Sequence, residues 1–147
     1  MESLWDNRVL ITAFAAWMAA QLIKTLIYRV LYKHFDKERI FGSGGMPSSH
    51  TSTVIALTVS MGIREGFASS LFAVCAVFSI VVIYDALGVR RETGRQGEVI
   101  NRILREFLLE GKPISEENMK TLVGHTPLEV MGGVIVGLCV SLLLMHL

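Results

Sequence analysis

The sequence predicts an all-α integral membrane protein, a helical bundle of about four transmembrane helices with an amphipathic helix on the membrane surface. Of its 147 residues, 52% are hydrophobic and 18% are charged, and its mean hydropathy is +0.51. This composition is too apolar for an ordinary soluble domain, and the apolar residues form long blocks, as membrane spans require. The length suits a single membrane domain covering residues 1–147. A net charge of +1 gives no indication of nucleic-acid binding.

Four apolar segments are the predicted spans, and they cover residues 9–32, 49–63, 66–89 and 126–147. The second is short for a membrane helix, which needs about 20 apolar residues, and its serines and threonines indicate a helix packed inside the bundle. The N-terminal residues lack the basic stretch and small-residue cleavage site of a signal peptide, so we expect the first span to be retained.

A polar connection, residues 90–125, separates the third and fourth spans. Within it, residues 99–109 repeat apolar side chains at helical spacing, with arginines on the opposite face. This pattern is typical of an amphipathic helix on a membrane surface. The apolar positions are Ile100, Ile103, Leu104, Phe107 and Leu108, and the arginines are Arg102 and Arg105.

The distribution of basic residues predicts the orientation in the membrane. Four spans place both termini on one side, which carries Arg8 and Arg64, and the two long connections on the other. The second side carries Lys33, Lys37, Arg39, Arg90, Arg91, Arg95, Arg102, Arg105, Lys112 and Lys120. The positive-inside rule therefore predicts that the connections face the cytoplasm and that both termini lie outside.

Ionisable residues from all four spans are predicted to lie near this cytoplasmic face. Ionisable groups at membrane depth are costly and usually functional, so their convergence predicts a site. They are Lys24 in the first span, His50 at the start of the second, Asp85 with Arg90 and Arg91 at the end of the third, and His125 with Glu129 at the start of the fourth.

The stretch GGMPSSH, residues 44–50, predicts a loop that runs into a helix. Pro47 suits the first helical turn, and Ser48 and Ser49 then present hydroxyls and backbone N–H groups at the positive helix end, which favours anions. The alternative is a glycine turn followed by a serine N-cap. Capping does not explain His50, which follows directly.

The stretch GHTPLEV, residues 124–130, predicts a second helix start. Thr126 is expected as the N-cap, and Glu129 completes a capping box with it. Capping does not explain His125, whose imidazole the Glu129 carboxylate, four residues later, is placed to hold. Further along, Gly133 and Gly137 form a small-xxx-small face for close helix packing.

Two interpretations remain open for the end of the third span. Asp85 is either a structural ion-pair partner of Arg90 or Arg91 or a catalytic group. The arginines are either anchors that bind lipid headgroups or a bidentate phosphate clamp.

Taken together, these motifs resemble those of the type-2 phosphatidic-acid phosphatase superfamily. PSSH, residues 47–50, resembles its PSGH motif, and residues 125–133 resemble its H-x-x-x-D-V-x-x-G motif, with Glu129 in place of Asp. The whole chain is similar to a divergent branch of integral membrane proteins related to acid phosphatases and vanadium-dependent haloperoxidases. It departs from the superfamily in lacking the K-x6-R-P motif and the S-R pair before the second histidine. Lys24 and Arg39 are the candidate substitutes for the former, and Arg90 and Arg91 for the latter.

The resemblance implies a membrane phosphatase that needs no metal or other cofactor and works through a phosphohistidine intermediate. His125 would be the nucleophile, Glu129 its orienting partner and His50 the general acid. The implied phosphate-binding residues are Ser48, Ser49, Arg90, Arg91, Lys24 and Arg39. The expected partners are a phosphorylated membrane lipid and the bilayer, in a bacterial plasma (inner) membrane, and a homodimer is compatible with so small a bundle.

A cytoplasmic site favours phosphatidylglycerophosphate as the substrate, whereas an outward site would favour undecaprenyl diphosphate. A different class of function is a non-enzymatic transporter or a protein that binds lipid headgroups. A metal site formed by His50, His125, Glu129 and Asp85 ranks last, because their spacing has no compact metal-binding signature.

Overall fold

The computed structural model describes residues 6–32, 45–88, 92–94, 96–101 and 125–146. These residues form four helices, α1 (Arg8–Tyr32), α2 (Ser49–Glu65), α3 (Ser70–Leu87) and α4 (Pro127–His146). Residues 92–94 and 96–101 are also helical, and no strand occurs in any of the described ranges. The predicted all-α fold is thus confirmed. Of the predicted amphipathic helix, residues 99–101 are helical and the rest lies outside the described residues.

Three of the four helices are long and apolar enough to cross a membrane: α1, the helix that begins at Ser70, and α4. Their outward faces carry large apolar side chains, among them Phe14 and Leu22 on α1, Val77 on α3 and Leu143 on α4. Such side chains would be costly in water, whereas hydrocarbon solvates them. The α2 helix is shorter, with 17 residues, and is less apolar.

Helix α2 occupies the centre of the bundle and contacts α1, α3 and α4. Its hydroxyls bond to backbone carbonyls of its own helix and of its neighbours: Thr53 Oγ1 donates to Ser49 O at 2.7 Å, and Ser52 Oγ donates to Ala16 O of α1 at 3.0 Å. The prediction that this segment packs inside the bundle is therefore confirmed. Its buried residues are Ser49, Thr51, Ser52, Val54, Ala56, Thr58, Ser60 and Gly62.

Two glycines of α4 allow this helix to lie directly against α2. A Cβ atom added at Gly133 would lie 2.5 Å from the carbonyl oxygen of Ser48, and one added at Gly137 would lie 2.7 Å from that of Ser52. Any larger residue would push the two helices apart. The predicted small-xxx-small packing face is confirmed, and its partner is α2.

Helix α3 is joined to the bundle at two buried positions seven residues apart, Ser79 and Ala86. Ser79 Oγ donates to Val54 O at 3.0 Å and shares a 2.7 Å hydrogen bond with Thr58 Oγ1. The carbonyl oxygen of Ala86 accepts a hydrogen bond from His125 N at 3.1 Å. These contacts fix both the rotation of α3 and the height at which it ends.

The two ends of the bundle differ in their contents. At one end, Thr12 Oγ1 near the start of α1 lies 3.8 Å from Met145 Sδ near the end of α4. At the other end, the start of α2 meets the start of α4 through Ser48 N, which donates to Glu129 O at 2.9 Å. This second end, which also holds His125, is the one that the sequence marks as a candidate site.

Candidate active site

The start of α2 differs from the sequence prediction by one position. Ser48 is the N-cap and Ser49 the first helical residue, so Pro47 precedes the cap. The expectation that Pro47 lies in the first helical turn is wrong, because the N-cap is Ser48 and Pro47 lies one residue before it. Ser48 Oγ accepts hydrogen bonds from Thr51 N at 3.3 Å and from Thr51 Oγ1 at 3.0 Å.

The start of α4 carries the predicted capping box. Thr126 Oγ1 accepts a hydrogen bond from Glu129 N at 3.3 Å, and Glu129 Oε2 accepts one from Thr126 N at 2.9 Å. Reciprocal bonds of this kind satisfy two backbone donors that have no partner within the helix. Glu129 is thereby held in one position by its own helix.

The same carboxylate oxygen holds the imidazole of His125. Nδ1 of His125 lies 3.1 Å from Oε2 of Glu129. An ionised carboxylate only accepts hydrogen bonds, so a carboxylate at this position favours the tautomer that carries hydrogen on Nδ1. His125 is 2% exposed, and its backbone N–H is bound to Ala86 O of α3. Both the main chain and the ring of His125 are therefore fixed by neighbouring groups.

His50 lies opposite His125. The ring centroids are 6.2 Å apart and the rings are inclined at 54°. His50 is exposed whereas His125 is buried, so the two imidazoles differ in their access to solvent. The two imidazoles that the motifs mark as functional are therefore neighbours in the structure.

Glu129 connects the two histidine-bearing helix starts. Its side chain bonds to His125, and its backbone carbonyl accepts the N–H of Ser48, two residues before His50. No sequence motif reports this contact, because it is made by main-chain atoms. The bond between Ala86 and His125 escapes sequence analysis for the same reason.

Of the remaining candidate residues, three lie in the described part of the chain and three lie outside it. Lys24 is 3% exposed, and its aliphatic stem lies beside Gly45, where an added Cβ would be 3.5 Å from Lys24 Cγ. Ser49 is buried in the first turn of α2, and Asp85 is half-buried, next to Ala86. The structure thus groups these residues at the histidine end. Arg39, Arg90 and Arg91 lie outside the described residues.

A metal centre gains no support from the described ranges. Within them, histidine, cysteine, aspartate and glutamate side chains form no group of three or more that could hold a metal ion. Of the residues named for such a centre, His50 lies beside His125, and His125 bonds to Glu129.

Comparison with known proteins identifies the family. The matching family model is described as the Divergent PAP2 family, where PAP2 denotes type-2 phosphatidic-acid phosphatase, and it covers residues 5–140. The chain belongs to this family. It is also 36% identical to "Uncharacterized membrane protein YuiD" of Bacillus subtilis (strain 168), across 97% of either chain. No solved structure matches.

Membership of the Divergent PAP2 family confirms the resemblance inferred from the motifs. Together with the long apolar helices, the membrane-protein relative shows that this chain is a membrane protein. In this family member, the two segments that carry the likeness, residues 47–50 and 125–133, meet at one end of the bundle through the pair His50 and His125.

Proposed function

We propose that this protein is a membrane lipid-phosphate phosphatase that forms a phosphohistidine on His125. The observation that carries the proposal is the pair of imidazoles 6.2 Å apart, one of them held through Nδ1 by Glu129. A histidine whose Nδ1 hydrogen is bound to a carboxylate presents Nε2 as a nucleophile in a fixed direction. A second imidazole on the far side of the substrate can supply or remove a proton.

In the first step, the Nε2 lone pair of His125 attacks phosphorus, and the bond between phosphorus and the ester oxygen breaks. The leaving oxygen takes a proton from His50, so the alcohol departs neutral. The phosphorylated imidazole keeps its Nδ1 hydrogen and gains positive charge, which the Glu129 carboxylate at 3.1 Å offsets.

In the second step, water attacks the phosphohistidine. His50, now neutral, accepts a proton from that water, and the P–N bond breaks with return of the electron pair to Nε2. The products are inorganic phosphate and the starting enzyme. Glu129 remains ionised throughout, so it positions His125 and does not transfer a proton.

The phosphate oxygens require positive charge and hydrogen-bond donors around this pair. Lys24 and Ser49 are the proposed ligands among the described residues, together with Arg39, Arg90 and Arg91. Ser48 contributes mainly by fixing the helix start, since its oxygen already accepts two hydrogen bonds from Thr51. Its own O–H remains a candidate donor.

The proposed substrate is phosphatidylglycerophosphate. The excess of lysine and arginine in the connections favours a cytoplasmic site, and a lipid phosphate made on that side would reach it directly. Undecaprenyl diphosphate is the alternative, and it would require the site to face outward.

The test is release of inorganic phosphate by purified protein in detergent micelles, measured separately on the two lipids. We expect His125→Gln to abolish release, and His50→Gln to lower it by about 10²–10⁴-fold, the usual contribution of general acid–base catalysis. His146→Gln, which alters an exposed histidine at the far end of α4, is the matched control and should behave like wild type.

A phosphohistidine should be trapped by rapid acid-free quenching of wild type and of His50→Gln, and not of His125→Gln. Equal phosphate release from wild type and His125→Gln would refute the nucleophile assignment. Binding of lipid headgroups without any phosphate release would favour a non-enzymatic membrane protein instead.

A further inference from the structure

We propose that Gly133 is a positioning residue of this reaction, which keeps the first turn of α2 close enough to α4 for His50 to act on the group that His125 attacks. This inference rests on the proposed function. It assigns to Gly133 a role beyond general helix packing, and Gly137 of the same helix provides the comparison.

The space beside Gly133 is filled by the first turn of α2. A Cβ at this position would lie 2.5 Å from the Ser48 carbonyl oxygen and 2.8 Å from Thr51 Cβ. These two residues flank His50 in the chain. The carbonyl oxygen belongs to the backbone and cannot rotate away, so a side chain at residue 133 must move the start of α2 and the start of α4 apart. Ordinary contact begins at 3.4 Å, which sets the displacement at about 1 Å.

That displacement acts on the hydrogen bond that joins the two helix starts. Ser48 N donates to Glu129 O over 2.9 Å. Moving the start of α2 away by about 1 Å lengthens this contact beyond the 2.7–3.2 Å typical of an N–H···O bond. His50 then moves away from His125 together with Ser48.

His125 itself should stay in place. Its backbone N–H is bound to Ala86 O of α3, and its ring is bound to Glu129 of its own helix. Neither bond is made to α2. Helix α3 meets α2 at Val54 and Thr58, beyond the first turn of α2, so a shift of that first turn leaves Ala86 in place. A side chain at residue 133 therefore separates the proposed acid from the proposed nucleophile without disturbing the nucleophile.

This separation predicts a specific kinetic signature. An alkyl ester needs a proton on its leaving oxygen, whereas a nitrophenyl ester releases an acidic phenol that departs without one. Loss of the acid should therefore slow phosphorylation of His125 by the alkyl substrate far more than by the nitrophenyl substrate. The readout is kcat/KM, which covers the steps up to departure of the leaving group, because His50 also serves the second step and that step is common to both substrates. A variant that only destabilises the bundle should slow both to the same extent.

Gly137 is the matched control because it lies one helical turn farther from the site. A Cβ there would lie 2.7 Å from the Ser52 carbonyl oxygen and 2.9 Å from Ile55 Cβ. Gly137→Ala thus introduces a similar backbone clash between the same two helices. Its clash falls about 6 Å farther along the helix, beyond the bond between Ser48 and Glu129.

The experiment compares Gly133→Ala, Gly137→Ala and His50→Gln on an alkyl lipid phosphate and on a nitrophenyl-ester analogue. We expect Gly133→Ala to lower kcat/KM on the alkyl substrate by about 100-fold, the cost of a misplacement of roughly 1 Å. On the nitrophenyl substrate, kcat/KM should fall only a few-fold, as it does in His50→Gln. Gly137→Ala should show no such preference, although its Tm falls by a similar amount.

A second pair of variants tests the same contact if Gly133→Ala does not fold. Ser48 has a φ of −67°, which proline adopts without strain. In Ser48→Pro the ring carbon Cδ replaces the hydrogen that points at Glu129 O, so the variant removes the hydrogen bond and separates the same two helix starts from the α2 side. Ser48→Ala removes only the side chain. The preference for the nitrophenyl substrate over the alkyl substrate should be larger in Ser48→Pro than in Ser48→Ala.

Three results would contradict the positioning role in an active protein. They are an unchanged kcat/KM for Gly133→Ala on the alkyl substrate, an equal loss of kcat/KM on both substrates, and an identical preference in Gly137→Ala. If wild type hydrolyses neither substrate, the proposed function itself fails, and that outcome is seen before any variant is compared.

Discussion

Replacing Glu129 by glutamine should separate the catalytic use of this side chain from its structural use. A glutamine oxygen can still accept from Thr126 N, as Glu129 Oε2 does at 2.9 Å, and glutamine is an accepted partner in a capping box. The amide also accepts the His125 Nδ1 hydrogen. The negative charge is lost, and with it the stabilisation of the positive imidazole formed during phosphoryl transfer.

The size of the effect follows from the geometry. Unit charges 3.1 Å apart, the distance between Nδ1 and Oε2, interact by roughly 5 kcal/mol at an effective dielectric constant of about 20. The Glu129 side chain is 20% exposed, so solvent lowers this value, and the glutamine dipole recovers part of it. We therefore expect a loss of about 2–3 kcal/mol of transition-state stabilisation, which is a decrease in kcat of about 30- to 160-fold.

The assay measures phosphate release together with the Tm of the detergent-solubilised protein. The control is Thr126→Ala, which deletes the hydroxyl that accepts from Glu129 N at 3.3 Å and leaves the charge beside His125 in place. It should lower the free energy of unfolding by about 1 kcal/mol, as N-cap deletions do, with a smaller effect on kcat. The reasoning would be refuted if Glu129→Gln retained wild-type kcat, or if its activity loss merely followed its loss of Tm.

Three further predictions concern other parts of the molecule. Ser79→Ala should lower the free energy of unfolding by about 0.6–1.7 kcal/mol, the average and the maximum measured for interhelical hydrogen bonds in a membrane protein, whereas Ser70→Ala at an exposed position should not. Equal Tm values for the two variants would contradict the role given to Ser79. Ser48→Ala and Ser69→Ala each remove a helix N-cap and should each lower the free energy of unfolding by about 1 kcal/mol. Only Ser48→Ala should also lower phosphate release, and equal phosphate release from the two variants would contradict a role of Ser48 in the site. A reporter that is active only outside the cytoplasm should be active when fused after the C-terminus; a cytoplasmic C-terminus would reverse the orientation and shift the proposed substrate to undecaprenyl diphosphate.

The parts of the site that sequence analysis predicts correctly are those governed by local chemistry. The capping box of α4 depends on residues three apart in the chain, so Thr126 and Glu129 reveal it directly. The contact between His125 and Glu129 likewise follows from a spacing of four residues. The central position of α2 was predictable because hydroxyl-rich segments are poorly suited to face lipid.

The parts that sequence analysis misses depend on contacts between distant segments. The carbonyls of Ala86 and Glu129 carry no side-chain signature, although they fix His125 and the start of α2. The position of Pro47 before the cap was also missed, since proline is compatible with either side of a helix start. The glycine spacing on α4 predicted close packing but could not identify the first turn of α2 as its partner.

The location of the proposed site at two helix starts has a physical reason in a membrane. Helices in lipid gain little from the hydrophobic effect when they associate, so close packing and hydrogen bonds must hold them. In lipid, a backbone N–H or C=O group without a hydrogen-bond partner costs more free energy than it does in water, and the first turn of every helix has several N–H groups that lack a partner within the helix. In this protein, Ser48 N finds its partner in Glu129 O of the neighbouring helix. The contact that satisfies the start of α2 therefore also sets the separation of the two histidines, so changes that weaken it should lower the stability of the bundle and the proposed activity together.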